Sequence, residues 1–355
     1  MDSQQGGSIW VTRFVDQVSE RTFGSPVLAG LLTLGLIPIL LTISFLGLVD
    51  GSVSLHFLVT HSLAAAVPVV GVPGIWYWDT KVYPRFVEQT TLLAVDPDAL
   101  RTDLHSYKRI FATGYRPFTV LWTLLVTVII GVNLPYLQTL GVSGVFDPAF
   151  LVYLTFAVWW GLITGIGFHG AITAIRAIRA VAHHELDIDP LTPDGLGGLS
   201  NVGTLAIWTT MLISLGSLTL PYAFLLAANG GFRVLVYVAV GLYILVIGLS
   251  FAYPTIYINR RAQAIREAEL EERRTKIRRL QEKSVDVEAV VDGDESATMD
   301  EMATRLEIQR LREEYNTYAD VNLYPLSIGI FVRLVSSLVL PLFFILVENF
   351  MGAII

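Results

Sequence analysis

Two places in this chain gather side chains that could do chemistry. The first is His183–Gly203, "HHELDIDPLTPDGLGGLSNVG". Asp187, Asp189 and Asp194 offer the hard oxygen atoms that divalent cations take, and His183, His184 and Glu185 stand beside them. Their spacing fits neither the twelve-residue calcium loop nor a zinc pattern. "DGLGG" lacks the Lys-Ser/Thr pair and the preceding strand of a phosphate loop. Pro193-Asp194-Gly195 is a turn sequence, and Gly195, Gly197 and Gly198 free the backbone to reverse. Ser200 or Asn201 is placed to cap the next helix. A structural turn is therefore expected, with the three aspartates as weak metal candidates. No metal site and no cofactor are otherwise expected.

The second place is the apolar stretch Leu326–Val347 and its outer flank. Arg333, Ser337, Leu340 or Pro341, Phe344 and Glu348 recur every three or four residues, so one helical face can carry them all. An arginine inside a bilayer is costly and marks a functional hypothesis. Either it lines a water-accessible path or it snorkels back to the headgroups. His61, Asn133 and His169 are lone polar residues in other apolar stretches, and each is expected to bond a neighbouring helix. Gly161 and Gly165, joined by Gly167 and Gly170, form a small-residue face for close helix packing.

The elements that must position these residues are helices. Of 355 residues, 53% are apolar and only 15% charged, which departs from the soluble norm of about a quarter charged. The apolar residues collect into blocks of about twenty, the length needed to cross about 30 Å of hydrocarbon. The spans expected are Pro26–Leu48, Leu55–Trp78, Pro117–Leu140, Phe150–Ala174, Val202–Ala227, Phe232–Tyr257 and Leu326–Val347. The fold class is thus all-α, a polytopic protein of seven transmembrane helices in the cell membrane. The links after spans one, three and five are short and poor in basic residues. The others hold Arg13 and Arg21, Lys81 and Arg85, Arg101 to Arg116, Arg176 and Arg179, and Arg260 to Arg274. Arg233 alone departs from this division. The positive-inside rule puts the N-terminus inside and the C-terminus outside.

Outside the spans, residues 1–25 are expected to form a short interfacial helix with Trp10, Phe14 and Val18 at i, i+4 and i+8. Asp96 and Pro97 can start a cytoplasmic helix whose Leu100, Leu104, Tyr107 and Phe111 make one apolar stripe. Span six runs on into "INRRAQAIREAELEERRTKIRRLQEK" without a helix breaker. An acidic linker, residues 285–298, then leads to a second helix near Met299–Asp320 with Ile308, Leu311, Tyr315 and Tyr318 on its inner face. Residues 258–320 are read as a cytoplasmic helical hairpin, and 321–355 as helix seven.

Several classes are excluded or disfavoured. With no cysteine there is no disulfide, thiolate metal site or cysteine nucleophile. No Gly-x-Ser-x-Gly elbow, intramembrane aspartate pair or His-Glu-x-x-His motif occurs, so no enzyme activity is expected. Span seven has no lysine for a retinal Schiff base and no histidine for a zinc hydrolase. An odd span count without duplication weakens an inverted-repeat transporter. The chain is acidic overall, and no nucleic-acid partner is expected.

Three features together resemble the seven-transmembrane ion channel superfamily of insect odorant and gustatory receptors: span six continuing into the cytoplasm, a cytoplasmic helix before the last span, and "YPLSIGIFVRLVSSLVLPLFFILVENF" close to the end of the sequence. The resemblance lies in topology and covers nearly the whole chain. The Thr-Tyr and Gln-Phe signature of the insect members is not present in helix seven. What the resemblance implies is a homotetrameric receptor channel whose four seventh helices line the pore. Carried over by position, Ser336, Ser337, Leu340, Phe344 and Val347 would face that pore, with Arg333 below them and Glu348 at the outer mouth. A glutamate ring favours cations and four arginines oppose them. The implied partners are the lipid bilayer, other copies of the chain and a small-molecule ligand. A carrier of a small solute and a non-conducting membrane sensor or scaffold are the alternatives.

Overall fold

The computed structural model describes residues 7–51, 53–186, 199–230, 233–288 and 295–320, with Val339 and Phe343. Among them the fold is all-helical, and five helices are long and apolar enough to cross a membrane: Pro26–Leu48, Leu55–Leu93, Pro97–Val132, Pro148–His183 and Ser200–Ala228. This is a helical membrane protein. The elements are α1 (Trp10–Val18), α2 (Pro26–Leu32), α3 (Ile37–Leu48), α4 (Leu55–Tyr77), α5 (Tyr83–Thr90), α6 (Pro97–Val132), α7 (Leu134–Thr139), α8 (Pro148–His183), α9 (Ser200–Leu215), α10 (Leu220–Gly230), α11 (Arg233–Glu288) and α12 (Glu295–Asp320). The expected sixth span lies on α11. The expected seventh falls outside the described residues apart from Val339 and Phe343, both helical and exposed.

α6 and α8 form the spine. They run antiparallel and approach closely because α8 turns its glycines toward α6: a Cβ at Gly161 would stand 2.9 Å from Thr123 Cα, and one at Gly165 3.1 Å from Thr119 Cα. Without side chains at those two positions the backbones can pack as small-residue membrane helices do. Trp122 Nε1–H donates to Thr164 Oγ1 across the seam at 2.9 Å. On the opposite side of α6, Val120, Leu121, Leu124, Leu125 and Val128 are 50–68% exposed. So long an apolar stripe is intolerable in water and natural against lipid.

Helix boundaries differ from the sequence expectation in an orderly way. The amphipathic Asp96 helix and span three are one rod, α6, running through Pro117; α6 then ends at Asn133, short of the expected Leu140. Asp96 caps that rod through Ala99 N at 3.0 Å, as its sequence suggests. The stripe finds an internal partner, with Leu100, Leu104 and Phe111 fully buried. Span two does not stop at Trp78 but continues through a wide π turn, Trp78–Val82, into α5. α1 turns Val11, Thr12 and Val15 into the bundle, with Trp10 and Val18 at the edges and Phe14 outward, so the buried face is rotated from the expected one. Neither expected cap of α9 is used: its N-cap is Leu199, and no side chain caps it.

Two apolar cores sit at opposite ends. One holds Val15, Trp78, Tyr83, Leu104, Phe111 and Val181, and is ringed by the basic residues of α1, α5, α6 and α8; we call this the basic end. The other is built on Phe45, Phe57, Tyr136, Tyr153 and Tyr222. Asp147 caps α8 at that far end, accepting from Ser143 N (2.5 Å), Ser143 Oγ (2.8 Å) and Ala149 N (2.8 Å). These donors hold its carboxyl below the usual carboxylate range. A depressed folded value stabilises the protein above the unfolded value of about 4 and is lost as pH falls through the folded one. Asp147→Asn is therefore expected to flatten the acid limb of unfolding below pH about 4. Acid-unfolding curves that superimpose for the two proteins would show that this cap is idle.

Beyond the bundle, α11 runs 56 residues unbroken and α12 folds back along it after residues 289–294. Both helices extend into the expected linker, so most of residues 285–298 is helical. The seam joins Leu270, Ile277 and Leu280 of α11 to Ile308, Leu311 and Tyr315 of α12, all half-buried. This matches the expected inner face of the second helix; the side chain of Tyr318 is outside the description. Arg273 pairs with Glu269 and reaches Glu314 of the other helix at 3.9 Å.

Candidate functional site

Among the described residues, one set of buried polar groups is at the basic end, where α4 meets α6. A π turn widens the helix and leaves carbonyls without their usual partners. At the turn Trp78–Val82 the freed carbonyl of Asp79 accepts from Lys108 Nζ of α6 at 2.5 Å, and the same ammonium reaches Asp79 Oδ1 at 2.6 Å. The Asp79 side chain is wholly buried and that of Lys108 16% exposed. Lys108 also lies 5.5 Å from the centre of the Tyr83 ring, whose hydroxyl donates to Leu104 O at 2.9 Å. Asp79 Oδ2 is buried with no hydrogen-bond partner. One turn earlier on α4, Trp76 Nε1–H donates to Asp16 Oδ1 of α1 at 2.7 Å. Burial raises the Asp16 carboxyl above its ordinary range, against the opposing pull of that hydrogen bond. Together these contacts clamp α1, α4 and α6.

The far end holds a second node, around His61. Thr42 Oγ1–H donates to Pro38 O at 2.8 Å, so its lone pairs are left to accept from His61 Nε2–H at 3.0 Å. That fixes the tautomer and leaves Nδ1 as an acceptor toward Tyr153 OH, 3.5 Å away, which is in turn hydrogen-bonded to Tyr222 OH. Phe57 stacks on the ring at 5.3 Å and Phe156 lies 4.5 Å away. The chain of donors ends on a backbone carbonyl and ties four helices together.

His169 bonds a neighbouring helix as expected, through Ile110 O at 3.4 Å, and stacks on Phe111. Asn133 does not: its amide donates to Ile129 O of its own helix at 2.8 Å and closes α6. His184 Nε2 meets Asp103 Oδ2 at 3.1 Å, and Val95 N donates to Glu185 O at 3.0 Å. The start of the His183–Gly203 segment is thereby pinned to the α5–α6 corner. Asp187, Asp189 and Asp194 lie outside the described residues, as do Arg333, Ser336, Ser337, Leu340, Phe344, Val347 and Glu348. Among the described residues no three His, Asp or Glu side chains gather as a metal would require.

Between α4, α8 and α9 lies an apolar cavity of about 50 Å³, lined in part by Gly71, Gly167, Phe168, Leu212 and Gly216. Small-molecule sites run to about 300–1,000 Å³. This one has room for a water or two, not for a solute. Sequence reasoning passed over the Asp79–Lys108 pair. The available signal was a lysine four residues after Leu104 and three before Phe111, on a stripe that is otherwise apolar.

No protein-family model, curated protein or solved structure matches the chain.

Proposed function

We propose that the chain is one subunit of an oligomeric, chemoreceptor-like ion channel of the cell membrane, tetrameric by its resemblance. It has seven spans, and the basic end faces the cytoplasm. The observation that carries this assignment is α11. An unbroken 56-residue helix that holds an expected span and then pairs with α12 couples membrane and cytoplasm as one lever. Its seam stays half-buried after the hairpin closes, leaving apolar surface for the hairpins of other subunits.

A carrier of a small solute needs its binding site inside the bundle. Among the described residues the cavity between α4, α8 and α9 is too small for one; the path in this reading runs instead between subunits, lined by span seven with Arg333 and Glu348. No catalytic role is assigned.

Purified protein in planar bilayers is the test. Stepwise conductance is expected, with Glu348→Gln lowering and Arg333→Ala raising the preference for cations. A silent wild-type protein, or a selectivity indifferent to both changes, would sink the assignment. Saturable solute flux by monomers would favour the carrier.

A further inference from the structure

One exposed face at the basic end presents an ordered change of chemistry. Along α4 and into α5, Val70, Tyr77, Lys81 and Arg85 are all exposed. Tyr77 packs against Trp208 of α9 with ring centroids 4.9 Å apart at 50°, each ring about a third exposed. Lys81 and Arg85 follow Tyr77 one and two turns on, about 6 and 12 Å along the axis. An apolar surface, an aromatic pair and then cations is the order in which a bilayer presents acyl chain, interface and phosphate.

Among the described residues, the Tyr77 hydroxyl, the Trp208 indole N–H, the Lys81 ammonium and the Arg85 guanidinium have no hydrogen bond or ion pair. Their neighbours do: Trp76 donates to Asp16, and Trp78 to Thr209 Oγ1 at 3.1 Å. No carboxylate among the described residues forms an ion pair with either cation. Asp16 is close enough for Lys81 to act on its charge, and Glu20 sits beside Asp16. Glu88 lies one turn past Arg85 and pairs with neither cation.

We propose that Tyr77, Lys81, Arg85 and Trp208 form a binding site for the phosphate of an anionic phospholipid. The aromatic pair holds the interfacial region of the lipid, and the two cations hold its headgroup. A zwitterionic headgroup carries its own cation and gains little from Lys81 and Arg85. Free phosphate has no chain to lay along the apolar surface that ends at Tyr77. The site rests on the membrane location alone and stands whether or not the protein conducts.

Native mass spectrometry of the full-length protein, with phosphatidylglycerol or phosphatidylcholine added, tests it. Each basic residue near an anionic lipid contributes about a factor of five, so Lys81→Gln/Arg85→Gln should weaken phosphatidylglycerol binding about thirtyfold. Phosphatidylcholine binding should be unchanged. Arg274→Gln/Arg278→Gln, which removes the same charge from α11, should alter neither. Lys81→Arg/Arg85→Lys should keep the preference and so separates charge from misfolding. Equal losses in the α11 variant would mean diffuse attraction and overturn the site. So would the absence of a wild-type preference for phosphatidylglycerol, or displacement of the lipid by inorganic phosphate.

Discussion

Replacing Lys108 with methionine is expected to destabilise the protein by about 3–5 kcal/mol, the cost of leaving one member of a buried ion pair without the other. Methionine keeps the length and apolar stem of lysine, so the loss isolates the ammonium. In its absence Asp79 Oδ1 and the carbonyl freed by the π turn lose their donor, and Oδ2 already has none. The charge on Asp79, whose side chain is wholly buried, then has no compensation. Adding Asp79→Asn should recover much of the loss, because an amide carries no charge into that site. Unfolding in detergent micelles measures both. If Lys108→Met lies within about 1 kcal/mol of the wild type, the pair is not the clamp described here.

The second large effect is expected at the α6–α8 crossing, where Gly161 should resist a side chain that Gly167, on the side of α8 toward the α4–α9 cavity, should accept. At Gly161 a Cβ would meet the Thr123 backbone at 2.9 Å, and backbone cannot step aside as a flexible side chain can. Gly161→Ala must therefore separate the two helices locally, at about 1–3 kcal/mol. At Gly167 nothing lies within 4 Å of an added Cβ. Gly167→Ala should leave stability unchanged or raise it by up to about 1 kcal/mol through helix propensity. Thermal unfolding of the two single variants decides the matter. Equal responses would mean that backbone approach does not set this interface.

Much of the fold was legible because bilayer length and apolar composition constrain a helix more tightly than propensity does. Spans one to five could be read this way, and so could the Asp96 cap, the close approach of α8 at Gly161 and Gly165, though not at Gly167, and the burial of Leu100, Leu104 and Phe111. Errors arose where tertiary contacts decide. The buried face of α1 is chosen by what it packs on, so Trp10, Phe14 and Val18, regular as they are, did not predict it. The α4–α5 continuation depends on a π turn whose freed carbonyl is satisfied from another helix; Pro84, with no N–H to give Asp79 O, was its one local sign. The clamp was missed for the same reason: Asp79 and Lys108 are far apart in sequence, and each alone looks like an ordinary interfacial charge. His61 was recognisable as an interhelical partner, but its tautomer follows from Thr42 donating to Pro38, which only the packed structure reveals.

α4 is held by its neighbours at breaks in its own backbone ladder. Pro68 has no N–H to give to Ala64 O, and Trp160 of α8 donates to that oxygen instead, at 3.1 Å. Lys108 does the same for Asp79 O at the π turn. In genetic terms the Trp160 anchor is one-sided. The acceptor is main chain and survives a change of side chain at its own position, so a screen for loss of the anchor should recover Trp160 far more readily than Ala64. For the same reason no substitution at Ala64 can restore a donor lost from α8; suppressors of a Trp160 defect should instead arise at Pro68, where any residue with an N–H can close the ladder again.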